Sequence, residues 1–134
     1  MSKTIKLSTT RKGYIGELLV IKFLLKKKLK VYAPVVDDFH IDLLVEQKGV
    51  FTKIQVKYHA VMMSDTSLQV KVTKTQADWI ATPVDVGGKI HIVWYRNDRK
   101  DKRYTITFAI YKPKNNQIKR VNFYQSFLKS PFDN

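Results

Sequence analysis

Cysteine is missing altogether, and acidic residues are scarce: 11 Asp and Glu stand against 25 Lys and Arg in 134 residues. Without a thiol there is no disulfide framework, no thiolate metal site and no cysteine nucleophile, so zinc-finger folds are excluded and any metal must be held by oxygen or histidine. Glutamate occurs twice, at Glu17 and Glu46, and histidine three times, at His40, His59 and His91. No apolar run approaches the roughly 20 residues needed to span a bilayer. The basic region at Lys3, Lys6, Arg11 and Lys12 is not followed by a signal-type apolar stretch. The expected location is the cytoplasm, in association with the nucleoid, with no membrane partner.

What is abundant is positive charge, a formal +14 on a chain short enough to be one domain over residues 1–134. A small domain with that field gains counterion-release free energy along a phosphate backbone, so nucleic acid is the leading partner. Residues 1–8 are expected to form a loose basic arm. A helix follows from Thr9 or Thr10 to Lys28 or Lys30, with Lys26, Lys27 and Lys28 at the negative end of its dipole. Residues 31–36 read as an extended segment broken by Pro34, and 37–40 as a loop. Strict alternation over 68–72 argues for a half-buried strand. Residues 73–80 suggest a short helix carrying Trp79 to the core, 83–88 a turn, 90–95 a strand and 104–111 its hairpin partner. A turn at 113–116 and a short helix within 121–128 complete the chain. Helix, strands, helix, strands is the order of an α/β or α+β sandwich around a mixed sheet.

The chemistry concentrates in two apolar runs, residues 41–46 and 50–58, joined by Gln47-Lys48-Gly49. If Lys48 and Gly49 form a two-residue loop, Gln47 pairs with Val50 and the ladder places Asp42 opposite Gln55, with Cβ atoms about 5 Å apart. Lys57 shares that face, while Ile54 and Val56 point into a core. On the first helix, Glu17 has Gly13, Tyr14, Val20 and Ile21 as neighbours and so faces inward. An inward carboxylate must be protonated, paired with a base or close to a metal ion; Glu46 reads as a solvated strand residue. Mg²⁺ accepts one or two carboxylates with waters and a phosphate filling the rest. Asp42 would be the direct ligand, Gln55 would add its side-chain carbonyl and Val56 its main-chain carbonyl. Glu17 could reach the metal or its water shell, and Lys57 would orient a water and stabilise developing charge. The same residues also fit a cross-strand Asp42–Lys57 ion pair worth at most about 1 kcal/mol.

Gly16-Glu17 on the helix, Pro34 before an acidic loop, Ile41-Asp42-Leu43-Leu44-Val45 and Ile54-Gln55-Val56-Lys57-Tyr58 together resemble the PD-(D/E)XK nuclease superfamily over about residues 13–60. The resemblance implies a restriction-endonuclease-like fold of the mixed α/β (α+β) class. Its α-β-β-β-α-β core has a central mixed sheet flanked by helices, and its active site would be Glu17, Asp42, Gln55 and Lys57. Gln55 replaces the acidic member of the third motif. A Gln-x-Lys strand followed by Tyr is similar to bacterial group I intron-encoded homing endonucleases of the superfamily. That likeness implies a Mg²⁺-dependent, sequence-specific double-strand DNA endonuclease in which Mn²⁺ substitutes. An archaeal-type Holliday junction resolvase is an alternative, although it ordinarily keeps Glu where Gln55 stands. A catalytically silent nuclease-like DNA-binding module is another, which Gln55 keeps open.

Four basic clusters could meet phosphate: Lys3, Lys6, Arg11 and Lys12; Lys71 with Lys74; Arg96, Arg99, Lys100, Lys102 and Arg103; and Lys112, Lys114, Lys119 and Arg120. Arg96, Arg99 or Arg103 could read guanine and Gln117 adenine. Trp79 and Trp94 are expected in the core and the histidines to be incidental, with His59 near enough to Lys57 to flank the site. Cutting both strands of a duplex requires two sites facing antiparallel backbones, so a homodimer or homotetramer is expected. Ile118, Val121, Phe123, Tyr124, Phe127, Leu128 and Phe132 would either form the interface or cap the core.

Overall fold

A computed structural model describes residues 9–35, 40–61, 66–112, 114 and 122–133. The chain forms helix α1 (Thr9–Lys26), strands β1 (Lys30–Tyr32), β2 (Leu43–Gln47), β3 (Val50–Val56), β4 (His59–Val61), β5 (Ser67–Val72), β6 (Trp79–Val86), β7 (Lys89–Arg96), β8 (Tyr104–Ala109) and β9 (Asn122–Phe123), and a 3₁₀ turn at Tyr124–Phe127. The arm at 1–8 and most of the turn at 113–116 lie outside the described residues.

Helix α1 buries Gly16, Val20 and Leu24, four residues apart along one stripe. Lys28, at φ 60°, ends it. The Leu29 N–H bonds the Leu24 carbonyl at 3.3 Å and the Lys28 N–H bonds that of Leu25 at 2.9 Å. This is a Schellman closure in which lysine occupies the left-handed position usually taken by glycine.

The main sheet runs β1-β2-β3-β6, with β7 on the far edge of β6 and β4 continuing the β3 edge. β3 and β4 pair with β6 in parallel, whereas the other neighbours are antiparallel. β3 takes residues 79–81 of β6 and β4 takes 84–86, so Pro83, which has no N–H to donate, falls beside the break between them. β6 is buried along most of its length because both faces are covered. On one face, Val20 and Leu24 of α1 pack with Leu43, Val45, Ile54, Ala81, Ile92, Trp94 and Phe132. On the other, Ile80, Val84 and Val93 meet Leu68, Val70, Val72, Ile106 and Phe108 of a second, three-stranded sheet ordered β5-β8-β9.

Several expectations need correction. Residues 73–78 are not helical, and Trp79 and Ile80 instead open β6 by pairing with Ile54 and Gln55. Within the stretch a side chain takes a backbone donor that a helix would have used internally, Thr75 Oγ1 accepting the Ala77 N–H at 3.2 Å, while Asp78 Oδ2 ties it to β3 by accepting the Lys53 N–H at 2.9 Å. The turn expected over 83–88 is confined to Gly87-Gly88, with β6 continuing to Val86. β8 is not the hairpin partner of β7. β7 is matched over its full length by β6, while β8 lies on β5, where Leu68, Val70 and Val72 stand opposite Phe108, Ile106 and Tyr104. The layer expected to be helical on this face is therefore a sheet, and α1 is the one α-helix among the described residues. The helix expected within 121–128 is β9 followed by the 3₁₀ turn.

Candidate active site

The β2–β3 hairpin has the expected register, Gln47 opposite Val50 through Leu43 opposite Ile54. Lys48 and Gly49, at φ 52° and 79°, give the two left-handed residues of a tight turn whose twist suits flanking strands. Beyond Leu43 the Asp42 N–H bonds the Ile54 carbonyl at 2.8 Å, and Asp42 Oδ2 accepts the Val56 N–H at 2.7 Å. The carboxylate is thus fixed at the end of β3, one residue past Gln55. Because Leu43 and Ile54 share the α1 face, alternation sets Asp42 and Gln55 on the opposite one.

Gln55 is 2 % exposed. Its Nε2 donates to Thr73 Oγ1 at 3.1 Å, and its Oε1 has no hydrogen-bond partner among the described residues. Leaving a buried carbonyl oxygen unsatisfied costs about 1–3 kcal/mol, so its retention beside a carboxylate asks for a ligand. An oxygen donor set of this kind fits a hard divalent cation. Among the described residues there is no group of three or more His, Asp or Glu that could hold a metal ion.

Lys57 follows the end of β3, half-buried, with its N–H on the Ala81 carbonyl at 2.9 Å. Glu17 is half-buried on α1. Its neighbour Gly16 lies against the same strand end: a Cβ at Gly16 would stand 2.8 Å from Tyr58 Cβ and 3.5 Å from Val56 Cγ1. The missing side chain lets the helix close on Val56 and Tyr58.

A family model described as PD-(D/E)XK endonuclease matches residues 7–129. The chain belongs to the PD-(D/E)XK endonucleases. It is accordingly a phosphodiester hydrolase whose substrate is DNA. A solved structure described as that of a bacterial homing endonuclease, I-Ssp6803I, superposes with TM-score 0.65 at 17% identity, over 90% of this chain and 88% of that one. No curated protein matches in sequence. The restriction-endonuclease-like fold agrees with that superposition.

Of the basic residues singled out in the endonuclease, Lys3, Lys6, Lys119 and Arg120, like Gln117, lie outside the described residues. Arg11, Lys12, Lys71, Lys74, Arg96, Arg99, Lys102, Arg103, Lys112 and Lys114 are exposed, and Lys100 is ion-paired with Asp78 at 2.7 Å. Burial pushes the Asp78 pKa up, but the Lys100 ammonium and the Lys53 N–H outweigh it and hold the carboxyl below its ordinary value. Trp94 is buried and Trp79 half-buried against the α1-side core. Ile118 and Val121 are outside the described residues, but Phe123, Tyr124, Phe127, Leu128 and Phe132 pack into the two cores. Exposed apolar side chains gather instead along α1 at Tyr14, Leu18 and Leu25. A cleft of about 930 Å³ lined by Phe51, Thr52, Asp78, Trp79, Arg96 and Lys100 opens at the start of β3, away from the Asp42 end.

Sequence reasoning missed Thr73, Thr75 and Asn97. Thr75 and Asn97 are 3 % and 4 % exposed. No motif marks them: Thr73 and Thr75 lie in the stretch expected to be helical, and Asn97 in the charged loop after β7.

Proposed function

We propose that this endonuclease is a Mg²⁺-dependent enzyme of the homing type that cuts double-stranded DNA at a specific sequence. The observation that carries the reading is the unpartnered, buried Gln55 Oε1 one residue from the peptide N–H that Asp42 caps. Asp42, Gln55 Oε1 and the Val56 carbonyl would hold the cation, with Glu17 at it or at its water shell. When bound, Mg²⁺ supplies Lewis acidity and lowers the pKa of coordinated water. Lys57 places a positive charge two residues from Gln55, where it orients the attacking water and stabilises the charge that builds on phosphorus-bound oxygens. The field of +14 draws the duplex in, and exposed Arg and Lys of the β7–β8 loop and α1 hold phosphates. Two copies acting on antiparallel backbones complete a double-strand cut, hence a homodimer or homotetramer. The superposition on a bacterial homing endonuclease supports this reading over the resolvase.

A pool of random-sequence duplexes, with cleaved molecules sequenced, tested beside a four-way junction in Mg²⁺ and in Mn²⁺, decides the matter. Cutting at one recovered duplex sequence, lost in Asp42→Asn and Lys57→Ala while binding persists, is expected. Structure-selective cutting of the junction would identify a resolvase, and binding of both without cleavage a silent module.

A further inference from the structure

We propose that Thr75 is a positioning residue for the cleavage reaction, holding Asp42 in place through the main chain of His40; this rests on the assignment of Asp42 as a metal ligand. The Thr75 hydroxyl donates to the His40 carbonyl at 2.8 Å and accepts the Ala77 N–H at 3.2 Å. His40 sits at φ 53°, the left-handed region that non-glycine residues adopt rarely, two residues before Asp42. With the Asp42 N–H tied to Ile54, the short segment leading to the carboxylate is held at both ends. Remove the hydroxyl and the upstream tie is lost.

Thr75 is itself held. Asn97 Nδ2 donates to the carbonyls of Thr75 at 3.2 Å and Ala77 at 2.8 Å, and the Asn97 N–H donates to Asp78 O at 2.9 Å. Its Oδ1 accepts from the Tyr104 hydroxyl at 2.6 Å. Burial, with Tyr95 and Asp98 nearby, pushes the Tyr104 pKa up to about 12. It therefore remains a donor through neutral pH. The same loop carries Thr73, whose hydroxyl takes one amide proton of Gln55. One irregular stretch thus reaches both oxygen-bearing side chains, Gln55 directly and Asp42 through His40. Loss of such an outer partner commonly costs 10–100-fold in metal affinity or activity.

The test compares Thr75→Val, which keeps the shape and removes the hydroxyl, with Thr75→Ser, which keeps the hydroxyl. Mn²⁺ binding is read from the free-Mn²⁺ paramagnetic resonance signal, and kcat and KM from cleavage of a duplex recovered as above. Thr75→Val should weaken Mn²⁺ binding and lower kcat by about 10–100-fold, with KM for DNA within about twofold of wild type, and Thr75→Ser should restore both. A hydroxyl that served folding alone would lower the unfolding midpoint and leave Mn²⁺ affinity and kcat per folded molecule unchanged, which overturns the proposal. If Thr75→Val does not fold, Tyr104→Phe removes one tie from Asn97 and should weaken Mn²⁺ binding severalfold; unchanged affinity in the folded variant overturns it equally. Asp42→Asn run in parallel separates the two claims. Normal Mn²⁺ binding there defeats the assignment of Asp42, whereas a normal Thr75→Val beside an inactive Asp42→Asn defeats the positioning role alone.

Discussion

Gly16→Ala adds one methyl group where α1 touches the strand end, and its consequence follows from a distance. The new Cβ would stand 2.8 Å from Tyr58 Cβ, an atom anchored directly to the backbone. Carbon atoms of this kind settle at about 3.5–4.0 Å, so helix and strand must separate by about 1 Å. Overpacking of that order costs about 1–3 kcal/mol, offset in part by about 1 kcal/mol from the better helix propensity of alanine. A net loss of about 1 kcal/mol is expected in urea unfolding. The same displacement moves Glu17 from residues 56–58, and a misplacement near 1 Å can cost about 10²-fold in cleavage. Gly13→Ala is the control, because a Cβ there meets nothing within 4 Å. It should gain up to about 1 kcal/mol and cut normally. If Gly16→Ala proves as stable as Gly13→Ala and cuts at the wild-type rate, the close approach that places Glu17 is refuted.

Two further outcomes concern the frame that holds the site. Lys28→Gly relieves the left-handed residue closing α1 and should raise stability by about 0.5–1 kcal/mol, read as a higher urea midpoint; an unchanged or lower midpoint contradicts the Schellman closure. Asp133 is held below its ordinary pKa first by the Lys27 ammonium and further by bonds from Ser130, although burial opposes them. Its folded-state pKa is depressed, so its contribution is present above the ordinary value of 3.8 and fades as pH falls through the lowered one. For a partly exposed pair that contribution is at most about 1 kcal/mol. Asp133→Asn should therefore lower the urea midpoint at pH 7 and converge on wild type near pH 2; a constant difference across that range contradicts it.

The hairpin was legible because period-two alternation and a Lys-Gly turn leave little choice of register, and the register then dictates where Asp42 and Gln55 stand. α1 was legible for the same kind of reason, since its buried stripe recurs every four residues. Residues 73–78 were not, because what keeps them out of a helix is Asn97, some 20 residues downstream, bonding two of their carbonyls. The partner of β8 was equally hidden. Alternation in β5 and β8 shows that each strand is half-buried but not which neighbour pairs with it. The family motifs implied Glu17, yet the device that brings α1 against the strand end is the featureless Gly16, whose meaning appears only with Tyr58 beside it.

Gln55→Leu tests the central claim most directly, by measuring unfolding midpoint and cleavage on the same preparation. The substitution removes an unpartnered buried oxygen at the expense of the bond to Thr73. If Gln55 is kept for binding a cation, the variant should be as stable as wild type or more so, by up to about 1 kcal/mol, and lose at least about 10²-fold in cleavage. A variant that cuts at the wild-type rate would contradict the assignment, whatever its stability.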